Sequence, residues 1–550
     1  MDDFPFRQVV SLRTPEEVMR LTRMGQAFPS RLSFLPTLLR RLHRVSAQVV
    51  RTIWNMDSNG YGHAVYSISL DGYVYSLVAI ANALDDQART DRVIADAWDS
   101  SFVLYDGIPD TAEISRLVVD CPRQEAARFS DRDLIVSRAN KSVRLFDHVV
   151  DCLRQKRQPD RARILDIGYL MRTTAVYGNG KFGIADRVRI ADRPSLSGPF
   201  MAEMLAVWMI RGFSHDLVEH LGQAALDRDL KRHLGIGNAT GLGMAPFLVN
   251  HSTLLDAWIQ ARETALARVR DVPSVTQSEE AHLRRLAKRA LSHLNEWHVN
   301  DHEAHGVILS LRKEWIQFIE CLDDPMCNRS YPIDWMWKIG QTKSIAFQEL
   351  MAAFLIEPFG SLVDDLSEQM ATSDIGHFDP AMPISHLKQL VLQDWCWALD
   401  LNFSDPDQQK QFWYVSEAKQ EPRLGLRFDE PGAEWETPID IARQVQALVR
   451  DLVDQKGILL DFLCDHPHHR AAVRRVQTLA RYPYAEIRDN LVGGACKPID
   501  MLRFKLAFFG ASKFDPKSDR WTRVTLAQGA PLFDELAIEP DWWLAAINPS

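Results

Sequence analysis

The chain has 550 residues, 46% hydrophobic and 25% charged, with 64 basic against 73 acidic side chains and a net charge of −9. That mix is a folded globular protein's, and the length predicts two to four domains. Interspersed charges with a slightly acidic balance exclude a field able to hold nucleic acid. The seven cysteines are odd in number and include no CxxC pair, which fits reduced, buried thiols better than a disulfide framework. The start, Met1-Asp-Asp-Phe-Pro-Phe-Arg7, has neither a basic n-region nor an apolar h-region. The longest apolar stretch, Pro199 to Phe213, is interrupted by Glu203 and Arg211 and is too short for a bilayer. A soluble, cytoplasmic protein is expected, without membrane or nucleic-acid partners.

In chain order, residues 15–45 predict two helices. Thr14-Pro15-Glu16-Glu17 is a helix start with Pro in the first position, and Ser30 is placed to cap the second. Tyr61 to Ala81 then carries two β-rich runs joined by Asp71-Gly72, a strong hairpin signal. Val49–Met56 and Ser101–Tyr105 extend it to a small antiparallel sheet. Beyond Ser130 the 3.6-residue period dominates. Leu134, Val136, Val143, Leu145, Val149 and Leu153 fit one helix, and Ile164–Tyr177 fits another. Met201–Met209 and Leu254–Leu266 fit two more, and a basic helix begins at Ala281. A hairpin is expected at Phe412–Phe428, helices at Pro438–Leu463 and Arg470–Ala480, and a short strand from Trp521. The predicted fold is mainly α (α+β): a large helical body, a small N-terminal antiparallel sheet and a short C-terminal hairpin. Domains are expected at 1–125, 126–345 and 346–550.

The densest chemistry lies in Arg172-Thr-Thr-Ala-Val-Tyr-Gly-Asn-Gly-Lys-Phe-Gly-Ile-Ala-Asp186, where Tyr177, Asn179, Lys181 and Asp186 surround three glycines. Gly178–Gly183 matches G-x-G-x-x-G formally, but no βαβ alternation surrounds it and no lone acid follows at the required distance. A Walker A loop fails as well, with Ala175 at the first glycine position and Phe182 at the Ser/Thr position. No nucleotide motif stands up, so the cofactor is unknown; flavin or CoA binding without a short motif stays open. A plain glycine-rich turn competes with a ligand-contacting loop.

A second glycine-punctuated segment, Gly235 to Pro246, ends in Asn250-His251. Aligned on Met244 it resembles the flexible signature loop of the fumarase and argininosuccinate-lyase group. Gly241 and Leu242 replace its two serines, however, and the proton-abstracting serine is the point of that loop, so the family is not carried over. Asn238, Thr240 and His251 remain as polar candidates against a reading of close helix packing. Histidines cluster at His298, His302 and His305 and at His466, His468 and His469, the second group after Cys464 and Asp465. Both suit zinc by ligand type, yet read equally as solvated helix and exposed turn, and no metal site is assigned. Arg423 closes the polar-rich stretch Trp413–Arg423, and Arg503 and Lys505 sit in an otherwise hydrophobic segment, where a charge must be paired or face a ligand.

The expected function is a metabolic enzyme of lyase or isomerase type acting by acid–base chemistry on a small anionic substrate, a carboxylate, a phosphate or a CoA compound. Tyr177, Lys181 and His251 are the catalytic candidates. Arg172, Asn179, Asn238, Thr240, Arg423 and Arg503 are the binding candidates. Lys181 is expected to be more than half buried, near a carboxylate or a pocket. The alternatives are a non-catalytic helical regulatory or assembly protein and a metal-dependent hydrolase using a histidine cluster. A homo-oligomer is compatible with either.

Overall fold

The computed structural model describes residues 10–85, 97–123, 129–173, 190, 192–241, 252–297, 299, 302–368, 370, 377–405, 438–485, 503–504, 507–516 and 521–537, some by backbone alone. The chain divides into two compact units. A helical unit takes Met1–Phe28, Ala245–Arg285 and Lys313–Phe504; a sheet unit takes Pro29–Met244, Leu286–Arg312 and Lys505–Ser550.

The sheet unit is built on nine strands: β1 (Val49–Met56), β2 (Gly62–Leu70), β3 (Tyr73–Ala81), β4 (Ser100–Asp106), β5 (Asp133–Lys141), β6 (Tyr169–Thr173), β7 (Gly235–Gly241), β8 (Ala511–Pro516) and β9 (Trp521–Leu526). They form one mixed sheet in the order β1-β2-β3-β4-β5-β6-β7-β9-β8. The hairpin of β2 and β3 turns at Asp71 (φ 51°) and Gly72 (φ 82°), the pair of positive φ angles that a type I′ turn requires. Among the described strands only β6 and β7 pair in parallel. Parallel neighbours need a long crossover, and it contains the helix Met201–Gly222.

That helix is apolar on all sides and buried along nearly its whole length. Phe213 packs on Phe102 and Tyr66 of the sheet at 5.6 and 6.4 Å. Its buried Arg211 donates to the carbonyls of Leu234 (2.6 Å), Pro531 (3.1 Å) and Lys231 (3.2 Å). The opposite side of the sheet carries the aligned valines 65, 78, 103 and 136, covered by Ile114 and Leu117 of helix Thr111–Asp120. Packing against the central helix is tight. A Cβ at Gly212 would lie 2.0 Å from the Phe533 ring, and one at Gly222 would lie 2.5 Å from Leu153 Cβ. Gly212→Ala is therefore expected to lower stability by about 1–3 kcal/mol through overpacking, measured as a fall in urea midpoint.

In the helical unit, Ile345–Ile356 is the central apolar helix, and it carries the fully buried Glu349. Glu349 Oε1 accepts from Arg13 and Arg23, both at 2.8 Å, and Oε2 accepts from Arg262. Arg13 makes two further bonds to Glu263, at 2.7 and 2.6 Å. A second core gathers helices Ile384–Asp394, Pro438–Leu452, Leu459–Asp465 and Arg470–Arg481 around Trp395. No single helix among the described residues is long and apolar enough to cross a membrane. A bent pair, Ile345–Ile356 with Gly360–Ser367, passes by composition, but its first helix is this buried one.

The mainly helical expectation with a small N-terminal sheet is overturned. Helix dominates by residue count, but the sheet is large, mixed and drawn from residues 49 to 526. The helix fitted through Leu134–Leu153 is β5 followed by helix Phe146–Arg154, and Ile164–Tyr177 contains β6. Both strands are buried on both faces, so they lack the polar–apolar alternation that marks a strand. The cap of helix Phe34–Arg44 is Ser33 rather than Ser30. Thr14 does cap Pro15–Val18, its hydroxyl accepting from the Glu17 N–H. The hairpin expected at 412–428 lies outside the described residues.

Burial alone would raise the Glu349 carboxyl, but Arg262, Arg13 and Arg23 hold it well below the usual carboxylate range. A pKa depressed on folding gives stability that is present above the unfolded value of about 4.3 and is lost as pH falls toward the folded value. Glu349→Gln should cost about 3–5 kcal/mol at pH 7 because it leaves the arginines buried without their anion. The gap to wild type in urea unfolding should narrow below about pH 4.

Candidate functional site

A row of polar residues crosses the sheet on the side away from the Met201–Gly222 helix. Asn140 of β5 stands opposite Arg172 of β6, Arg172 opposite Gly237 of β7, Gly237 opposite Thr525 of β9, and Thr525 opposite Lys513 of β8. Cross-strand partners share a face. Asn140, Arg172, Thr525 and Lys513 are 1, 3, 0 and 8% exposed. Arg138, two residues before Asn140, points to the same side. Buried polar groups so concentrated must be satisfied by one another, by backbone or by a ligand.

Both ends of the row are tied to backbone. At one end Asp99 donates its N–H to Asn140 Oδ1 at 2.9 Å, and its Oδ2 accepts from the Lys141 N–H at 2.8 Å. The Arg138 guanidinium lies 4.9 Å from the Trp98 ring, and burial lowers its pKa. The Thr173 hydroxyl donates to the Arg138 carbonyl at 3.2 Å, fastening the end of β6 to β5. At the other end the Lys513 ammonium donates to the carbonyls of Leu165 and Asp166. Those carbonyls close the helix Arg161–Ile167, whose C-cap Gly168 has φ 81°, so Lys513 serves as a cation at a helix C-terminus. His293, from helix Gln277–Glu296, is half-buried, with its Nε2 shut off from solvent. Burial, then the charge of Lys513, bring its pKa down to about 4. Among the described residues its Nε2 has no hydrogen-bond partner.

Gly237 lets the row close up. A Cβ there would sit 2.3 Å from the Tyr169 ring, so only glycine allows that ring to lie flat beside Arg172's neighbour.

Of the residues singled out from sequence, Arg172 is brought into the row. Asn238 and Thr240 lie in β7, opposite Val524 and Thr522, at positions that alternate with Gly237; their side chains are outside the described residues. Arg503 belongs to the helical unit, where its guanidinium lies 5.3 Å from the Phe28 ring. Tyr177, Asn179, Lys181, His251 and Arg423 lie outside the described residues, and so does the expected burial of Lys181. His298 is likewise outside them. Sequence reasoning missed Asp99, Arg138, Asn140, His293, Lys513 and Thr525. The one available signal was polar residues interrupting otherwise apolar runs, and in Arg138-Ala-Asn-Lys141 that was absorbed into a helix reading.

Comparison with protein families, curated proteins and solved structures finds no match. The site's chemistry therefore rests on its own residues. The guanidiniums of Arg172 and Arg138 share one face of adjacent strands with the Asn140 carboxamide, whose Oδ1 accepts from the Asp99 N–H and whose Nδ2 donates to the Ala97 carbonyl at 3.4 Å.

His293 should remain neutral until about pH 4, which histidine ring NMR across pH 3–8 would show. A His pKa lowered on folding means protonation opposes the fold, so the neutral side chain loses its stabilising advantage as pH falls from about 6.5 toward 4.

Proposed function

We propose that the chain is a cytoplasmic metabolic enzyme that binds a small anionic molecule, a carboxylate, phosphate or CoA-type compound, where β5 and β6 end, and acts on it by acid–base chemistry of lyase or isomerase type. The observation that carries this reading is the placement of Arg172. It is buried, shares a face with Asn140 and Arg138, and stands one residue from the end of β6, directly before the segment with Tyr177 and Lys181. A guanidinium offers a planar fork to a carboxylate or phosphate. Its attraction for an anion is stronger in a poorly hydrated interior than in water. Tyr177 and Lys181, four and eight residues beyond Thr173, are assigned proton donor and acceptor, and Arg172 the anion clamp.

A non-catalytic regulatory or assembly protein is the second reading. It is favoured by Lys513 and Asp99, whose bonds to helix-end carbonyls and a strand N–H are purely architectural.

Thermal-shift measurement against phosphates, di- and tricarboxylates and CoA compounds, at matched ionic strength, separates the two. Under the first reading one anion class stabilises the wild type; at a hundredfold excess over Kd the effect is about 2.7 kcal/mol. Arg172→Met abolishes the shift, while Tyr177→Phe and Lys181→Met keep it and lose turnover. If no anion stabilises the wild type, and Arg172→Met merely lowers the melting temperature, the second reading replaces the first.

A further inference from the structure

The histidine turn of the helical unit gains a carboxylate from a separate element. Asp451 lies near the end of helix Pro438–Leu452, while His466 follows helix Leu459–Asp465 and His468 lies in the 3-10 turn Pro467–His469. One ligand atom from each of Asp451, His466 and His468 lies within 4.8 Å of the others. We propose that these three residues bind one divalent transition-metal ion, best fitted by Zn2+, at a site independent of the anion patch.

The turn is held in the form a metal needs. His466 caps its helix with φ −127° and ψ 62°, its N–H donating to the Phe462 carbonyl. Pro467 fixes φ at the start of the 3-10 turn that carries His468. The buried His469, parallel to the Phe462 ring at 5.8 Å, donates through Nε2 to Asp451 Oδ2 at 2.8 Å. That is how a neighbouring histidine fixes the orientation of a ligating carboxylate; His469 is a positioning residue here. His468 Nε2 stands 3.7 Å from the same Oδ2.

Zinc bonds of about 2.1 Å in tetrahedral array put ligand atoms about 3.4 Å apart. Closing from the observed spacing needs a shift of roughly an ångström, and the exposed His468 can make it by rotating its side chain. Two imidazole nitrogens and one carboxylate oxygen are the donors of zinc and its transition-metal neighbours, not of Mg2+ or Ca2+, which take oxygen. Three protein ligands leave a fourth position for water, as in reactive rather than purely structural zinc sites. The ordinary alternative is a histidine–aspartate hydrogen-bond cluster with no metal affinity.

The test is calorimetric titration of the full-length, metal-stripped protein with Zn2+ under reducing conditions, with the visible spectrum of the Co2+ form as a second readout. Wild type should take up one equivalent at this site and give the intense absorption of low-coordinate Co2+. His469→Gln should weaken Zn2+ binding by about 10–100-fold and shift the Co2+ spectrum, as loss of a supporting hydrogen bond does. His466→Ala and His468→Ala should each lose at least that much, with unchanged circular dichroism. Cys464→Ser should change nothing. The proposal is overturned if wild type shows no saturable Zn2+ uptake, if the His466→Ala/His468→Ala double variant matches wild type in affinity and stoichiometry, or if Mg2+ competes equally.

Discussion

A charge in the interior must meet its opposite, and much of this molecule's long-range order follows from that constraint. Glu349 is placed by an apolar helix where water cannot solvate it, so it draws in Arg13 and Arg23 from the chain's beginning and Arg262 from the middle. These are contacts across about 90 to 340 positions of sequence, and they act together with the buried Val18, Met19, Met24 and Phe28 to hold the N-terminal segment in place. Such a cluster does little for net stability compared with an apolar core of the same volume, but it penalises wrong arrangements heavily because each leaves a buried ion alone. Its effect is on which fold forms more than on how firmly.

In the sheet unit the obligatory groups are backbone ones. The crossover between β6 and β7 leaves carbonyls buried around the central helix, and Arg211 gathers two of them, from Leu234 and Lys231, together with that of Pro531 beyond β9. Lys513 gathers those that end helix Arg161–Ile167. Both cations thus stand where helix and loop ends carry excess negative partial charge. A buried arginine or lysine is consequently weak evidence for a ligand by itself. Arg172 and Arg138 differ from these in position: they lie on β6 and β5, in the middle of the sheet.

Where local chemistry decides structure, the sequence was legible. Asp71-Gly72 specified its hairpin because few other residue pairs accept two positive φ angles, and Thr14 announced its helix by the bond its hydroxyl makes. Beyond β4 the sheet was legible only at Trp521–Leu526, expected as a strand and found as β9; β5 to β7 were not legible, for an equally physical reason. β5 and β6 are covered on both faces, and β7 is Gly-Ile-Gly-Asn-Ala-Thr-Gly, a strand of small residues with almost no β-propensity. It is a strand because its neighbours supply hydrogen bonds and because Gly237 and Gly235 let Tyr169 and the β9 backbone come close. Propensity was overridden by tertiary context. The site suffered similarly: Arg172 was visible beside glycines, but its row partners come from strands almost 400 residues apart, and only pairing brings them into line.

The row's composition carries a last consequence. At its ends, acid and ammonium meet main-chain donors and acceptors and serve the fold. The Asn140 amide is likewise engaged by backbone, accepting from Asp99 and donating to Ala97, whereas the guanidiniums of Arg138 and Arg172 can only donate. A purely architectural network tends to alternate donors with acceptors, because like groups facing one another in a low dielectric repel. A stretch biased toward donors, two of them cationic, has an electrostatic preference for negative oxygen, whether from a protein carboxylate or from a small molecule.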